Sequence, residues 1–304
     1  MIAVETLLEE FNKTYEKESY VASRIQFEEI KGHDIYNITA PFISCGKRVI
    51  AGRVERRDSE HSKVYFFEEK EGVWNIIKDA PIFQLQDPFV SMVCGELIFG
   101  GVHVFPHPDN PKNLWWCTQF YRGKDIYSLE LFFEGPSGMK DIRLVELKSG
   151  EVGIFTRPQG EKGGRGKIGY TQVATLNDLT KECIEEAPVL DHVISENWIG
   201  GNEIHLLENG ELGVLSHVAS FDEKGDRHYY SSTFIFHPES RTYRDFKIIA
   251  KRALFLEGPT KRGDLVDVVF SGGLERVENS RAILYAGISD AEAQSLKLPD
   301  PFKN

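Results

Sequence analysis

"LQDPFVSMVCGELIFGGVHV" occupies residues 85–104. Two apolar runs flank a short turn at Gly95-Glu96, and the first run opens on a carboxylate, Asp87, followed by Pro88. Apolar runs joined by a glycine turn read as a β-hairpin. The arrangement then recurs. "KDIRLVELKSGEVGIFTRP" (140–158) has Asp141 at its mouth and Gly150-Glu151 at its turn, and "GNEIHLLENGELGVLSHVA" (201–219) has Asn202-Glu203 and Gly210-Glu211. "GDLVDVVFSGGLERVENSRAILYAGISD" (263–290) carries Asp264, and "HDIYNITAPFISCGKRVIAGRVE" (33–55) carries Asp34 and a turn at Gly46-Lys47. The mouth residues 34, 87, 141, 203 and 264 are 53 to 62 residues apart. A second signal agrees: "LFFEGP" at 131–136 returns as "LFLEGP" at 254–259, each seven residues from its Glu to the next mouth Asp.

Five hairpin units in series, with almost no helical periodicity after the first twenty residues, predict radial repetition. The expected fold is all-β, a single five-bladed β-propeller over residues 1–304. A closed ring of this kind is one domain, because separating its blades would bare sheet faces. The first strand of each blade lines the axis, so the mouth residues are expected to converge at one end of a funnel. Leu7, Leu8, Phe11 and Tyr15 fall at helical spacing, predicting a short N-terminal helix within residues 1–20, packed on the propeller. "RIQFEEI" (24–30) is read as a strand that completes the last blade.

Composition narrows the function classes. The chain is 41% hydrophobic, enough for a large core, and its net charge of −11 comes without a basic run, which argues against nucleic acid as a partner. No apolar segment approaches the ~20 residues of a membrane span. The N-terminus lacks the basic and apolar regions of a secretory signal. Cys45, Cys94, Cys117 and Cys183 show no metal-binding spacing and read as reduced core residues of a cytoplasmic protein, with no metal expected. His103, His107 and "HPDNP" read as a solvated turn. Nothing in the sequence bears on oligomeric state.

The converged groups would be Asp87, Asp141, Arg143, Glu203, His205 and Asp264, with Arg53, Glu55, Arg157, His217 and Asp290 nearby. Acids suit glycosidic bond cleavage, where a carboxylic acid protonates the leaving oxygen as oxocarbenium character develops. An inverting hydrolase needs a second carboxylate for water; a phosphorylase instead needs cations for phosphate. Each residue also has a plain structural reading. Asp34 and Asp264 read as blade-turn caps, and Arg143 and His205 equally as ion-pair partners of Asp141 and Glu203. Pro88 is expected to hold Asp87 extended. Of the tryptophans, Trp198 alone is placed to be a sugar platform, and the glycines of "RPQGEKGGRGKIGYT" (157–171) read as a hairpin loop rather than a P-loop.

"AGRVERRDSEHSKVYFF", "LQDPFV" and "VVFSGGL…LYAGISDAEA" resemble the five-bladed mannoside phosphorylases of glycoside hydrolase family 130. They are more similar still to the DUF1861 group tied to the mannosyltransferase/phosphorylases of glycosyltransferase family 108. The resemblance covers about Asn37 to Asp290. It implies an inverting enzyme of β-1,2-mannoside metabolism, with phosphorolysis yielding α-mannose 1-phosphate, or the reverse synthesis. It implies no cofactor: inorganic phosphate is the co-substrate, and GDP-mannose is the alternative donor. Carried over by residue, Asp87 is the proton donor, acting through a sugar hydroxyl. Arg53 and Asp290 hold the donor mannose, and Arg143, Arg157 and His217 are the phosphate cations, joined by Lys167 if its loop folds inward. Beside that carry-over, Asn37, Glu55, Asp141, Glu203 and His205 are read as the remaining sugar-binding residues. The chain departs from the phosphorylase pattern at Gln86, where an acid is usual, and at Phe89, where an arginine is usual. The rival readings are an inverting hydrolase using Asp87, Asp141 and Glu203, and a non-catalytic sugar-binding propeller.

Overall fold

A computed structural model describes residues 1–303. Helix α1 (Val4–Thr14) and strand β1 (Val21–Arg24) come first. Five antiparallel meanders follow. The first comprises β2 (Asp34–Tyr36), β3 (Phe42–Ser44), β4 (Lys47–Glu55), β5 (Lys63–Lys70) and β6 (Val73–Ile76). The second has β7 (Gln86–Val93), β8 (Glu96–Pro106), β9 (Leu114–Gly123) and β10 (Glu130–Glu134). The third has β11 (Arg143–Glu146), β12 (Val152–Thr156) and β13 (Gly169–Val173). The fourth has β14 (Trp198–Leu206), β15 (Leu212–Phe221), β16 (Arg227–His237) and β17 (Thr242–Ala250), and the fifth β18 (Asp267–Val277), β19 (Arg281–Ile288) and β20 (Glu292–Pro299). Hydrogen bonding groups them into four sheets, because the parallel pairs His228–Asp267 and Tyr229–Val268 merge the last two meanders.

The core is divided the same way. Val49 and Phe66 of the first meander pack with Phe99 of the second. Phe89 and Ile98 pack with Leu144 and Ile154 of the third, and Phe155 and Tyr170 with Val214 and Phe234 of the fourth. Leu215 and Ile235 meet Leu274 and Leu284 of the fifth, and Tyr285 and Ala293 return to Ile38 and Ile50 of the first. Each apolar layer is therefore shared by successive meanders and the last closes on the first, giving an all-β, propeller-like fold. Strands β7, β11, β14 and β18 pack on one another around the axis.

The turns follow from backbone sterics. Gly46, Gly95, Gly150 and Gly210 have φ between 72° and 88°, where a Cβ is costly. Cys45 and Cys94 precede two of them at φ 50° and 52°, as hairpins with two left-handed residues require. Those two cysteines are exposed turn residues, and Cys183 is half-buried, so the expectation of core cysteines holds for Cys117 alone.

The closing strand also lies earlier than expected. Val21–Arg24 pairs with β20, and the chain after Arg24 crosses to the first meander, where Phe27 bridges Trp74. Helix α1 buries Val4, Leu7 and Phe11 against the third and fourth meanders, with Leu8 and Tyr15 half-covered on the same side. Among the described residues, no helix is long and apolar enough to cross a membrane.

Candidate functional site

The first strand of the second, fourth and fifth meanders carries a bulge, between Gln86 and Phe89, Gly201 and Glu203, and Ser271 and Gly273. Asp87, Asn202 and Gly272 sit in these bulges, Asn37 lies between β2 and β3, which pair with β4 in turn, and Asp141 precedes β11. Asn37, Asp87 and Asp141 have φ of 44°, 48° and 61°, and Asp290 joins them at 51°. Asn and Asp tolerate this left-handed region better than other side chains. Left-handed backbone at Asp87 replaces the extended conformation expected before Pro88, because the bulge turns the chain there.

Asn37, Arg53, Asp87, Lys140, Asp141, Arg157, His217 and Asp290 line a cavity of about 210 Å³ at one end of the axis. It has two halves. In the first, Asn37 Nδ2 donates to Asp87 Oδ1 at 2.7 Å, and Arg53 NH1 donates to the same oxygen at 3.0 Å. Arg53 is itself fixed by Glu55 Oε2 at 2.7 Å and Ser62 Oγ at 2.8 Å, and lies over the Tyr36 ring. Burial alone would raise the Asp87 carboxyl, but Arg53, Lys140 and the Asn37 amide outweigh it and hold the group below the usual carboxylate range. Asp290 goes the other way: burial pushes it up, and the Asp87 charge adds to that against Arg53.

In the second half, Arg157 Nε lies 3.4 Å from Asp141 Oδ2 and donates to Ile199 O at 3.0 Å, while its buried NH1 has no hydrogen-bond partner among the described residues. His217 Nδ1 lies 2.9 Å from Asn202 Oδ1. Burial lowers the His217 pKa to about 3, so the ring is neutral. Its Nδ1–H then donates to Asn202, and Nε2 keeps its lone pair. Asp141 sits at about 2: burial would raise it, but the charges of Arg157 and Lys140 outweigh that. Gly200 makes this crowding feasible: a Cβ there would lie 2.6 Å from His217 Cε1 and 2.9 Å from Asp141 Oδ2.

A second cleft of about 320 Å³ adjoins the cavity and shares Gln86, Lys140, Arg157, Arg227 and Tyr229 with it. Val102, Val104, Gln159, Arg165 and the aromatic rings of Trp116, Trp198 and Phe221 complete its wall, which has no carboxylate among the described residues. Arg165 lies over Trp198 and Phe221. Trp198 is thus at the cleft, as expected of a platform; Trp116 joins it there, and Trp115 borders a further cleft beyond.

Several expected site residues lie elsewhere. Glu55 is buried behind Arg53, bonded to Tyr36, Ser62 and Lys261, and positions the guanidinium instead of facing the cavity. Arg143 is buried below the cup, donating to Asn202 O at 2.6 Å with its guanidinium over Phe89, and burial brings its pKa down to about 10. Glu203 and His205 bond each other at 2.9 Å and line a separate cavity with Pro41, Met92 and Leu206. In a strand, one residue of register turns a side chain to the other face, and the converging residue of that meander is Asn202. Lys167 is tied to Asp191 at 2.8 Å, away from the cup. Asp34 pairs with Arg57, and Asp264 with Arg262 and Arg227. Lys140, Arg227 and Tyr229 also line the cup; in the sequence only Lys140 carries a signal for it, adjacency to Asp141.

The family model described as "Protein of unknown function (DUF1861)" matches residues 11–304. No curated protein is similar to the chain. Among solved structures, the mannose phosphorylase MPT-4 from Leishmania mexicana, in complex with a phosphate ion, is 32% identical with a TM-score of 0.90, covering 98% of this chain and 93% of that one. MPT-1, a GDP-Man-dependent mannosyltransferase from Leishmania mexicana, is 31% identical with a TM-score of 0.89, covering 99% and 96%. A β-1,2-mannobiose phosphorylase from Listeria innocua shares the fold at 14% identity and a TM-score of 0.63, covering 90% and 92%.

Proposed function

This chain belongs to the DUF1861 family, and from that premise we propose that it is an inverting mannosyl-transfer enzyme that exchanges a β-1,2-mannosidic bond for α-mannose 1-phosphate. We read the five meanders as five blades of one propeller, residues 1–304 forming a single domain. The observation that carries the proposal is the division of the cup. One half presents an ionised carboxylate, Asp87, on an Asn37–Arg53 support; the other brings together Lys140, His217 and Arg157, whose buried NH1 has no hydrogen-bond partner among the described residues.

Mannose sits between the halves. Arg53, Asn37 and Asp290 hold its hydroxyls, Asp290 readily so because its raised pKa favours a neutral, donating carboxyl. Phosphate sits against Arg157 NH1 and Lys140, with its P–OH donating to His217 Nε2 or Asp141. In phosphorolysis Asp87 first takes a proton from solvent as the anionic phosphate and the mannoside bind; a phosphate oxygen then attacks the anomeric carbon, the glycosidic C–O bond breaks, and the leaving oxygen takes that proton from Asp87, directly or through a sugar hydroxyl. In synthesis the acceptor hydroxyl gives its proton to Asp87 as phosphate leaves. The free protein holds Asp87 as the anion, the form that synthesis needs at its start.

A hydrolase using Asp87, Asp141 and Glu203 fits less well, because Glu203 lies outside this cup. One observation favours GDP-mannose as a second donor. The carboxylate-free cleft beyond Arg157 offers Arg165, Arg227 and aromatic faces that suit a nucleoside diphosphate. The test is mannose 1-phosphate release from β-1,2-mannobiose, with and without inorganic phosphate, by wild type and Asp87→Asn. The proposal expects product that needs both phosphate and Asp87. Free mannose without phosphate would replace it with the hydrolase. Chain growth from GDP-mannose alone would replace it with the transferase. A protein that binds the sugar and converts nothing would replace it with a binding propeller.

A further inference from the structure

We propose that the second meander holds a divalent transition-metal site, formed by His103, Cys117 and Glu134, that takes zinc. The three side chains come from the adjacent strands β8, β9 and β10. One ligand atom from each lies within 4.8 Å of the others. Imidazole nitrogen, thiolate sulfur and carboxylate oxygen form the mixed donor set that zinc prefers, at bond lengths of roughly 2.0–2.3 Å. Those lengths require the three atoms to draw together by about an ångström, which side-chain rotation on a fixed sheet supplies.

The sheet register places these residues. His103 and Cys117 are directly paired across β8 and β9, and Glu134 pairs with Gln119, two residues along the strand from Cys117 and therefore on the same face. Gln119 holds the carboxylate in place. Its Nε2 donates to Glu134 Oε1 at 2.8 Å, and its Oε1 accepts from Tyr121 OH at 2.9 Å. A hydrogen-bonded outer partner of this kind is what orients a carboxylate ligand and tunes its affinity. The second oxygen, Glu134 Oε2, is left for the ion.

Burial grades across the site. Cys117 is buried, His103 half-buried and Glu134 exposed, so an ion has a path in from solvent. Three protein ligands leave a fourth position for water. Glu134 belongs to the "LFFEGP" element that recurs at 254–259, and the cup uses neither copy. The site lies outside the catalytic cup, and the neighbours of its ligands reach the adjoining cleft: Val102 and Val104 beside His103, and Trp116 beside Cys117. The ion would tie together three strands of one meander. On binding, Cys117 gives up its thiol proton and a sulfur–metal bond forms, so affinity rises with pH.

The test uses the full chain, freed of metal by a chelator and then of the chelator. Cobalt(II) and zinc(II) are titrated separately. One equivalent of cobalt should bind and produce the near-ultraviolet thiolate-to-cobalt charge-transfer band, and zinc should abolish the band by displacement. Zinc should raise the thermal unfolding midpoint of wild type. Cys117→Ser should lose the band, and Gln119→Leu should weaken zinc binding about tenfold or more. Glu134→Gln, at an exposed and isosteric position, should weaken zinc comparably and keeps the test valid if Cys117→Ser does not fold. The absence of a charge-transfer band at one equivalent of cobalt would overturn the proposal. So would zinc binding of equal strength in wild type and Glu134→Gln.

Discussion

Gly200→Ala probes the anion half of the cup without replacing a charged or hydrogen-bonding side chain. The added methyl carbon would lie 2.6 Å from His217 Cε1, 2.9 Å from Asp141 Oδ2 and 3.0 Å from Arg157 Cδ. Carbon–carbon contacts settle at about 3.5–4.0 Å, so the imidazole must retreat by about 1 Å. His217 cannot do so while keeping its 2.9 Å bond to Asn202, and Arg157 is pinned to Ile199 O. Overpacking of this kind costs about 1–3 kcal/mol of stability. A displacement of about 1 Å at reacting groups can cost 10²-fold in rate. The assay is phosphate-dependent mannose 1-phosphate formation, with KM measured separately for phosphate and mannoside. The expected result is a fall in kcat/KM of about 10²-fold, with the KM for phosphate rising more than that for the sugar. Gly201→Ala is the control, since nothing lies within 4 Å of a Cβ there. A folded Gly200→Ala protein with wild-type kcat/KM for phosphate would refute this organisation of the cup.

Three further outcomes are expected. Arg53→Lys keeps the charge but cannot reproduce the contacts to Asp87, Glu55 and Ser62, so steady-state kinetics should show kcat/KM falling by about tenfold or more. His217 and His192 are both held at about 3 by burial, far below the unfolded value, so the unfolded chain binds more protons between the two values. Stability should be full above pH ~6.5 and fall progressively toward pH ~3, and His192→Phe, packed on Tyr243, should flatten that slope in urea titrations across the range. Asp34→Asn removes only a half-exposed pair with Arg57, so unfolding should report a loss of about 1 kcal/mol or less, with activity retained.

The repeat was legible because hairpin turns advertise themselves: glycine at a left-handed position is a local signal that needs no tertiary information. Asp87 and Asp141 were legible for the same reason, each a lone acid immediately before an apolar run. Of the other three converging positions, Asn37 was reached only as a sugar-site residue and not as a strand mouth, and Asn202 and Gly272 were not singled out as the converging residues. In the first meander Asp34 draws attention, but it sits on the short β2, and the bulge-like residue is Asn37. In the fourth, Glu203 is the more conspicuous of two adjacent polar residues, and the one-residue difference sends it to the other face of the strand. In the fifth, the position is Gly272, because the Ile38 carbonyl oxygen occupies the space 1.7 Å from where a Cβ would stand. Packing between the first and last meanders, and no chemistry, selects that residue. Arg143 was misplaced because residue type does not reveal which way an axial side chain points. Lys140, Arg227 and Tyr229 reach the cup from a loop and from the start of β16, so only the closed ring brings them there.

The proposed transfer of mannose to phosphate with inversion can be watched as it happens, by proton and phosphorus NMR of wild-type protein with β-1,2-mannobiose and inorganic phosphate from the first minutes. α-Mannose 1-phosphate and mannose are expected in equal amounts, with no turnover when phosphate is left out. Free mannose accumulating without phosphate, or a β-configured phosphate ester as the first product, would contradict it.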